Sequence, residues 1–319
     1  MIRVLALAAL LPATASAQYT LYACGITSKE YVVGAKLPPS GLFAKSGAWR
    51  HVGFNHPNIA AVDFDPADPG ALYAAAGNGL LRIADHGEHW KILTGSDVTE
   101  LMDVSVGHGA VYFSHTAGIQ VSRDRGATWR ELATSVKRRF TAAIRVDRTR
   151  AGVLVAGGED GILRSEDDGA TWRRAGAAGI QIRHIEQSPH DPCFWLAATE
   201  GGGLFASTDC AVTFESSGNL GVGRNLHDIA FDPVDPNRVA VAGWGIGVVL
   251  SEDRGRTWQP RTPGPSTWSV IFDPAHPGRM YTSLHEDALY LSTDYGRTWS
   301  KDGLEGSAIF RMKFVPEAR

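Results

Sequence analysis

The stretch Ser122-Arg123-Asp124-Arg125-Gly126-Ala127-Thr128-Trp129 decides the fold, because the chain repeats it. Ser165 to Trp172, Ser207 to Phe214, Ser251 to Trp258 and Ser292 to Trp299 follow the same template. A sixth copy, Asp85 to Trp90, keeps the Asp, the Gly and the Trp, and a seventh, Ser46 to Trp49, has lost its Asp. The aromatic anchors fall at 49, 90, 129, 172, 214, 258 and 299, with spacings of 41, 39, 43, 42, 44 and 41. Six of the nine tryptophans sit at this one position, so the repeat is real. Its chemistry is local. A carboxylate two residues before Gly can accept backbone N–H groups inside a tight turn. The Gly supplies the positive φ such a turn needs. Ser and Thr add short hydrogen bonds, and the Trp packs its face beneath the turn. Asp85, Asp124, Asp167, Asp209, Asp253 and Asp294 are therefore read as structural, together with Trp90, Trp129, Trp172, Phe214, Trp258 and Trp299.

The rest of the unit repeats as well. Phe-Asp-Pro ends a strand at Phe64-Asp65-Pro66, Phe231-Asp232-Pro233 and Phe272-Asp273-Pro274, with weaker copies at Asp147 and Pro189. A strand of small residues follows, such as Ala71 to Ala75 or Val239 to Ala242, then a Gly-rich turn that leads into the Asp motif. Each unit is thus four short strands in about 42 residues, the signature of a propeller blade. The expected fold is all-β, a seven-bladed propeller of four-stranded blades. Ile309 to Val315 reads as an innermost strand with no blade after it, and Leu21-Tyr22-Ala23 as a second strand with no first. The two termini should complete the first blade together, which removes free sheet edges. A parallel β-helix is the alternative, but its repeats are usually shorter.

Composition agrees. Among 319 residues there are 36 glycines, a level that suits many short strands and tight turns. Lys and Arg number 31 against 34 Asp and Glu, a net charge of −3 that gives no reason to expect nucleic acid or an acidic membrane surface as partner. Arg3, the apolar run Val4 to Leu11 and Ala15-Ser16-Ala17 read as a signal peptide, residues 1–17, cleaved before Gln18. The mature chain 18–319 is then one propeller domain, exported to a periplasmic or extracellular compartment, and expected to be a monomer. No other stretch is long and apolar enough to span a bilayer. Three cysteines remain, Cys24, Cys193 and Cys210. Cys193 and Cys210 flank a hairpin centred on Gly201-Gly202 at similar distances, so a disulfide between them is expected. No CxxC pair or His cluster supplies four zinc ligands, and neither metal nor cofactor is expected.

The Ser-x-Asp-x-Gly-x-Thr-Trp units resemble Asp-box (BNR) repeats over nearly the whole mature chain. That superfamily includes sialidases, xyloglucanase-type glycoside hydrolases, sortilin-type receptors and photosystem II assembly propellers. The resemblance implies the fold and leaves the activity open. Sialidase chemistry would need an early Arg-Ile-Pro motif, and the chain has none. The xyloglucanase type carries a catalytic carboxylate in a Thr-Asp-x-Gly-Gly turn. Thr199-Glu200-Gly201-Gly202-Gly203 is similar, with Glu for Asp.

Ligands of propellers usually bind over the channel, on the face formed by inter-blade loops and by the turns between second and third strands. Several such loops carry more than turn chemistry. Glu200 stands on a glycine platform, Glu159-Asp160 is an acid pair, and Leu284-His285-Glu286-Asp287 adds an imidazole and two acids. Trp244 and Trp268 come from neighbouring blades and could stack on a sugar ring. Arg183, His184, Arg224 and His227 lie at the inner ends of two adjacent blades, and Lys137-Arg138-Arg139 is a basic run on a third loop. Two readings follow. One is a non-catalytic binding or scaffold propeller for a protein or glycan partner, with Trp244, Trp268, His285, Arg183, Arg224 and His227 on its ligand face. The other is a glycoside hydrolase, which needs two acids about 5–10 Å apart. Its candidates are Glu200 with Glu159, Asp160 or Glu286.

Overall fold

A computed structural model describes residues 18–27, 39–56, 58–134, 140–217, 220 and 223–317. The proposed signal peptide, most of the 25–41 insertion and Lys137-Arg138-Arg139 lie outside the described residues.

The described chain forms seven four-stranded antiparallel sheets. Six are simple meanders in sequence order. The seventh, which we call blade 1, takes its innermost strand from the C-terminus: Ser307–Pro316 pairs with Tyr19–Thr27, followed by Gly41–Lys45 and Trp49–Val52. Blades 2 to 7 begin on the innermost strands Ile59–Asp65, Leu101–Gly107, Thr141–Val146, Ile182–Gln187, Asn225–Phe231 and Thr267–Phe272. The core is divided among the seams. Each of seven buried clusters mixes side chains of two adjacent blades, blade 7 with blade 1 included, so the ring is closed. Small residues such as Ala74, Ala75, Ala197 and Ala240 let the sheets converge toward the axis, where a larger side chain would collide with the next blade.

The Asp motif closes on itself in five blades. In the copy at 122–129, Ser122 Oγ donates to Asp124 Oδ1 (2.7 Å) and accepts from the Gly126 N–H (2.7 Å). Thr128 gives its N–H and its hydroxyl to the two Asp124 oxygens (2.8 and 2.6 Å). The same four bonds recur around Asp167, Asp209, Asp253 and Asp294. Hydrogen bonding of this kind, chiefly from the Thr, holds Asp124, Asp167, Asp253 and Asp294 at a pKa of about 2; Asp209 reaches about 2 against some burial. The tryptophans use two anchors. Trp172 and Trp258 donate to their own turn, whereas Trp129 and Trp299 donate to a carbonyl of the preceding blade, Leu93 and Arg261.

The copy at 85–90 behaves differently. It lacks both the Ser and the Thr, so Asp85 bonds His89 instead (2.9 Å) over a short 3₁₀ turn. Trp90 is left 45% exposed and packs against Phe54. In the copy at 207–214, Ala211 stands where the others have Gly and still adopts φ +63°. The disulfide between Cys193 and Cys210 ties this turn to the Asp-Pro turn of the same blade. The pair joins two loops beyond the strand ends, whose last register partners are Trp195 and Ser207, not two facing strand positions. Cys24 is buried and free.

All seven innermost strands share one irregularity. Each slips register by one residue at the same place, leaving Phe310, Ala60, Met102, Ala142, Arg183, His227 and Trp268 without a partner in the neighbouring strand. Such a bulge re-aims the extra side chain. The next residue in each strand, Arg311, Ala61, Asp103, Ala143, His184, Asp228 and Ser269, resumes the pairing.

A candidate ligand face built on strand bulges

The interior layer is a chain of buried charges. Arg145 donates to Asp103 (2.5 Å), to Glu186 (3.2 Å) and to His184 Nε2 (2.6 Å). His184 Nδ1 lies 2.8 Å from Asp228 and 3.2 Å from the Ile229 N–H, so both ring nitrogens are engaged within the layer. Arg311, reaching from blade 1, pairs with the same Asp228. Burial first, and then the Arg311 and Arg145 charges, push His184 well below its ordinary pKa, so it is neutral. Burial opposes the charge of Glu186, but Arg145 and Arg148 prevail and hold it at about 2. Burial raises Asp228 more than Arg311 and two backbone N–H groups lower it. The acids also stitch blades together: Asp63, Asp103 and Asp228 accept the Val106, Ile144 and Val270 N–H of the following blade. His184, noted at the inner end of blade 5 beside Arg183, belongs to this buried layer. Arg183, one residue earlier, is the unpaired bulge residue and pairs with Glu200 instead.

Above that layer the mouth is lopsided. Blades 2 to 4 contribute Ala60, Met102 and Ala142, whereas blades 5, 6, 7 and 1 contribute Arg183, His227, Trp268 and Phe310. The rings form one cluster. His227 and Trp268 centroids are 4.5 Å apart, Trp268 and Phe310 5.5 Å, and Trp268 and Trp244 5.3 Å at 82°. His285 lies 4.9 Å from Trp244. Trp268 Nε1 donates to His285 Nδ1 at 2.8 Å. An indole N–H can only donate, so His285 carries its proton on Nε2, 4.0 Å from the Glu286 carboxylate. Burial, aided by Arg183 and Arg311, pushes His227 down to about 4, and its Nε2 is buried with no hydrogen-bond partner. Trp244 remains 40% exposed.

Beside this cluster lies a cleft of about 770 Å³ between blades 4 and 5. Glu159 and Glu200 both line it, over Ile180, Phe205 and the glycines 201 and 202. Glu200 is ion-paired with Arg183, so the bulge residue of blade 5 links the cleft to the ring cluster. Asp160 and Glu286 are not among the cleft's lining residues. Arg224 lies near the turn at Gly245, next to Trp244. Asp287 is held by Lys301 (2.7 Å) and by the Tyr290 hydroxyl (2.6 Å). Phe310 was not anticipated. It stands four residues before Phe314, as His227 stands before Phe231 and Trp268 before Phe272, so the repeat phase carried the signal. Among the described residues no three His, Cys, Asp or Glu side chains converge as a metal site, and no helix is long and apolar enough to cross a membrane.

Repeat and fold together define an Asp-box seven-bladed β-propeller. Residues 290–301 match the family model of the BNR/Asp-box repeat. No curated protein matches the chain. Solved structures do. The GH74 xyloglucanase of Xanthomonas campestris superposes with a TM-score of 0.64 at 20% identity, over 78% of this chain and 45% of that enzyme. This chain therefore spans less than half the enzyme's length. YCF48 from Cyanidioschyzon merolae gives 0.64 at 16% identity, over 82% and 89% of the two chains. A YCF48 bound to D1 peptide gives 0.60 at 20%, over 76% and 82%. At these identities the likeness is one of fold.

Proposed function

We propose that the protein is an exported, non-catalytic binding propeller, mature from residue 18, whose inter-blade loop face takes a protein or glycan partner. The observation that carries this reading is the ring cluster of Trp244, Trp268, His285, His227 and Phe310. Three blades spend large aromatic side chains at positions where the fold is satisfied elsewhere by Ala60 or Ala142. An exposed indole in such a setting is characteristic of a contact surface. Export is supported by the Cys193–Cys210 disulfide, which an oxidising compartment maintains. That a YCF48 propeller of similar fold holds a peptide is compatible with a protein partner. The test is ligand capture by the wild-type protein and by Trp244→Ala/Trp268→Ala. Capture that survives the double substitution places the face elsewhere.

A second reading has its own observation: Glu159 and Glu200 line one cleft. Two carboxylates flanking a glycosidic bond are the requirement for its hydrolysis. Release of reducing ends from a polysaccharide panel, lost in Glu200→Gln, would establish it. No release on any substrate leaves the binding reading.

A further inference from the structure

The cleft and the ring cluster are joined by backbone as well as by the Arg183–Glu200 pair. Glu200 bridges to Asn225, Asn225 pairs with Trp244, and Trp244 bridges to Ser266. These single bridges sew blades 5, 6 and 7 together at the rim. Each lateral step is about 5 Å, so the backbone at Glu200 and at Trp244 is held about 10 Å apart. The cleft extends beyond Glu200 toward blade 4, to Glu159. The result is a track, carboxylate-lined over an apolar and glycine floor at one end and aromatic at the other.

Its electrostatics restrict what can lie along it. The Arg183 charge is met by Glu200, and Arg311 below is met by Asp228. His227 is held neutral by burial, and Trp268 fixes the His285 proton outward on Nε2. An imidazole N–H and carboxylate oxygens beside an exposed indole can donate to and accept from hydroxyl groups while the ring covers C–H faces. Resting on the binding reading above, we infer that this track holds a neutral, linear oligosaccharide, with one unit on Trp244 and His285 and a later unit beside Glu200 and Glu159.

The test uses the full-length protein and neutral cello-, xylo- and manno-oligosaccharides, from disaccharide to hexasaccharide, followed by calorimetry and tryptophan fluorescence. At least one series is expected to bind, with affinity rising about tenfold or more between disaccharide and tetrasaccharide. Trp244→Ala should weaken every length of that series about tenfold, and Trp244→Phe should restore part of the loss. Glu200→Gln should weaken the tetrasaccharide and longer chains while sparing the disaccharide. Absence of binding in all three series, or affinity that does not change with length, overturns the inference. A polypeptide partner captured by wild type and lost in Trp244→Ala, with no sugar bound, also overturns it but keeps the binding face. If Trp244→Ala changes neither sugar nor polypeptide binding, the binding reading of this face falls as well.

Discussion

Arg145→Met removes the guanidinium at the centre of the channel network. In the native protein that group gives bonds to Asp103, to Glu186, to the Ile144 carbonyl and to His184. Asp103 is 1% exposed and would keep only the Ile144 and Val104 N–H groups. Glu186 would keep Arg148 at 3.5 Å. Hydrogen bonds to charged groups contribute about 1.5–3 kcal/mol each, and the two to the Asp103 and Glu186 carboxylates are lost together with those to His184 and the Ile144 carbonyl. The acids retain some partners, so the expected cost is that of breaking one buried pair, about 3–5 kcal/mol. Equilibrium unfolding in urea at neutral pH, read by fluorescence and by circular dichroism, measures it. Asp103→Asn and the double variant complete a cycle, and the coupling between the two sites should exceed about 1 kcal/mol. A loss below about 1 kcal/mol for Arg145→Met, or a cycle with no coupling, would refute the claim that these charges are desolvated and mutually compensated.

Acid should unfold the protein in two stages. His184 and His227 are pushed below their ordinary 6.5, so the unfolded chain binds more protons below that pH, and stability should fall from pH 6.5 toward about 4. The five Asp-box carboxylates, at about 2 against an ordinary 3.8, contribute stability above pH 3.8 that is lost as pH drops toward 2; urea midpoints across pH 8 to 2 should show both declines, and a flat profile would contradict them. Gly169→Ala forces a Cβ to 2.5 Å from Leu132 Cδ1 at φ +81°, whereas Gly255→Ala meets only an ordinary contact at 3.4 Å. The first should cost about 2–4 kcal/mol and the second about 1–2 kcal/mol, measured as shifts in the unfolding midpoint. Replacing both Cys193 and Cys210 with Ser opens a loop of 17 residues and should lower stability by about 3 kcal/mol, a loss that wild type should reproduce under reductant.

Much of the candidate site was legible, but as single residues. Arg183, His227 and Trp268 attracted notice for their side-chain types. The shared reason for their position, a bulge at one phase of every innermost strand, is a property of strand pairing that no local sequence states. Phe310 went unnoticed because its strand is borrowed from the C-terminus, outside any complete repeat. The acids divide in the same way. Glu159, Asp160, Glu200 and Glu286 are equivalent as turn carboxylates, and only the placement of blades 4 and 5 puts Glu159 and Glu200 on one cleft. His184 adjoins Arg183 in sequence, yet one pairs with Asp228 in the buried network and the other with Glu200 at the cleft.

By itself the sequence determined the blade. The Asp box is satisfied within eight residues by its own Ser, Asp, Gly and Thr, so its structure follows from local hydrogen bonding and from a backbone that Gly permits. Seven repeats at a near-constant spacing, five of them with the full box, and an orphan strand at each end left one closed ring as the way to pair every innermost edge. Tertiary structure alone decided the channel and its mouth. Those contacts join residues such as Arg311 and Asp228, 83 positions apart, and arise only when the ring closes and brings innermost strands of different blades around one axis. Burial at that axis is also the largest cause that holds His184 and His227 below the ordinary imidazole pKa, and the charges of Arg145, Arg183 and Arg311, brought in from other blades, add to it.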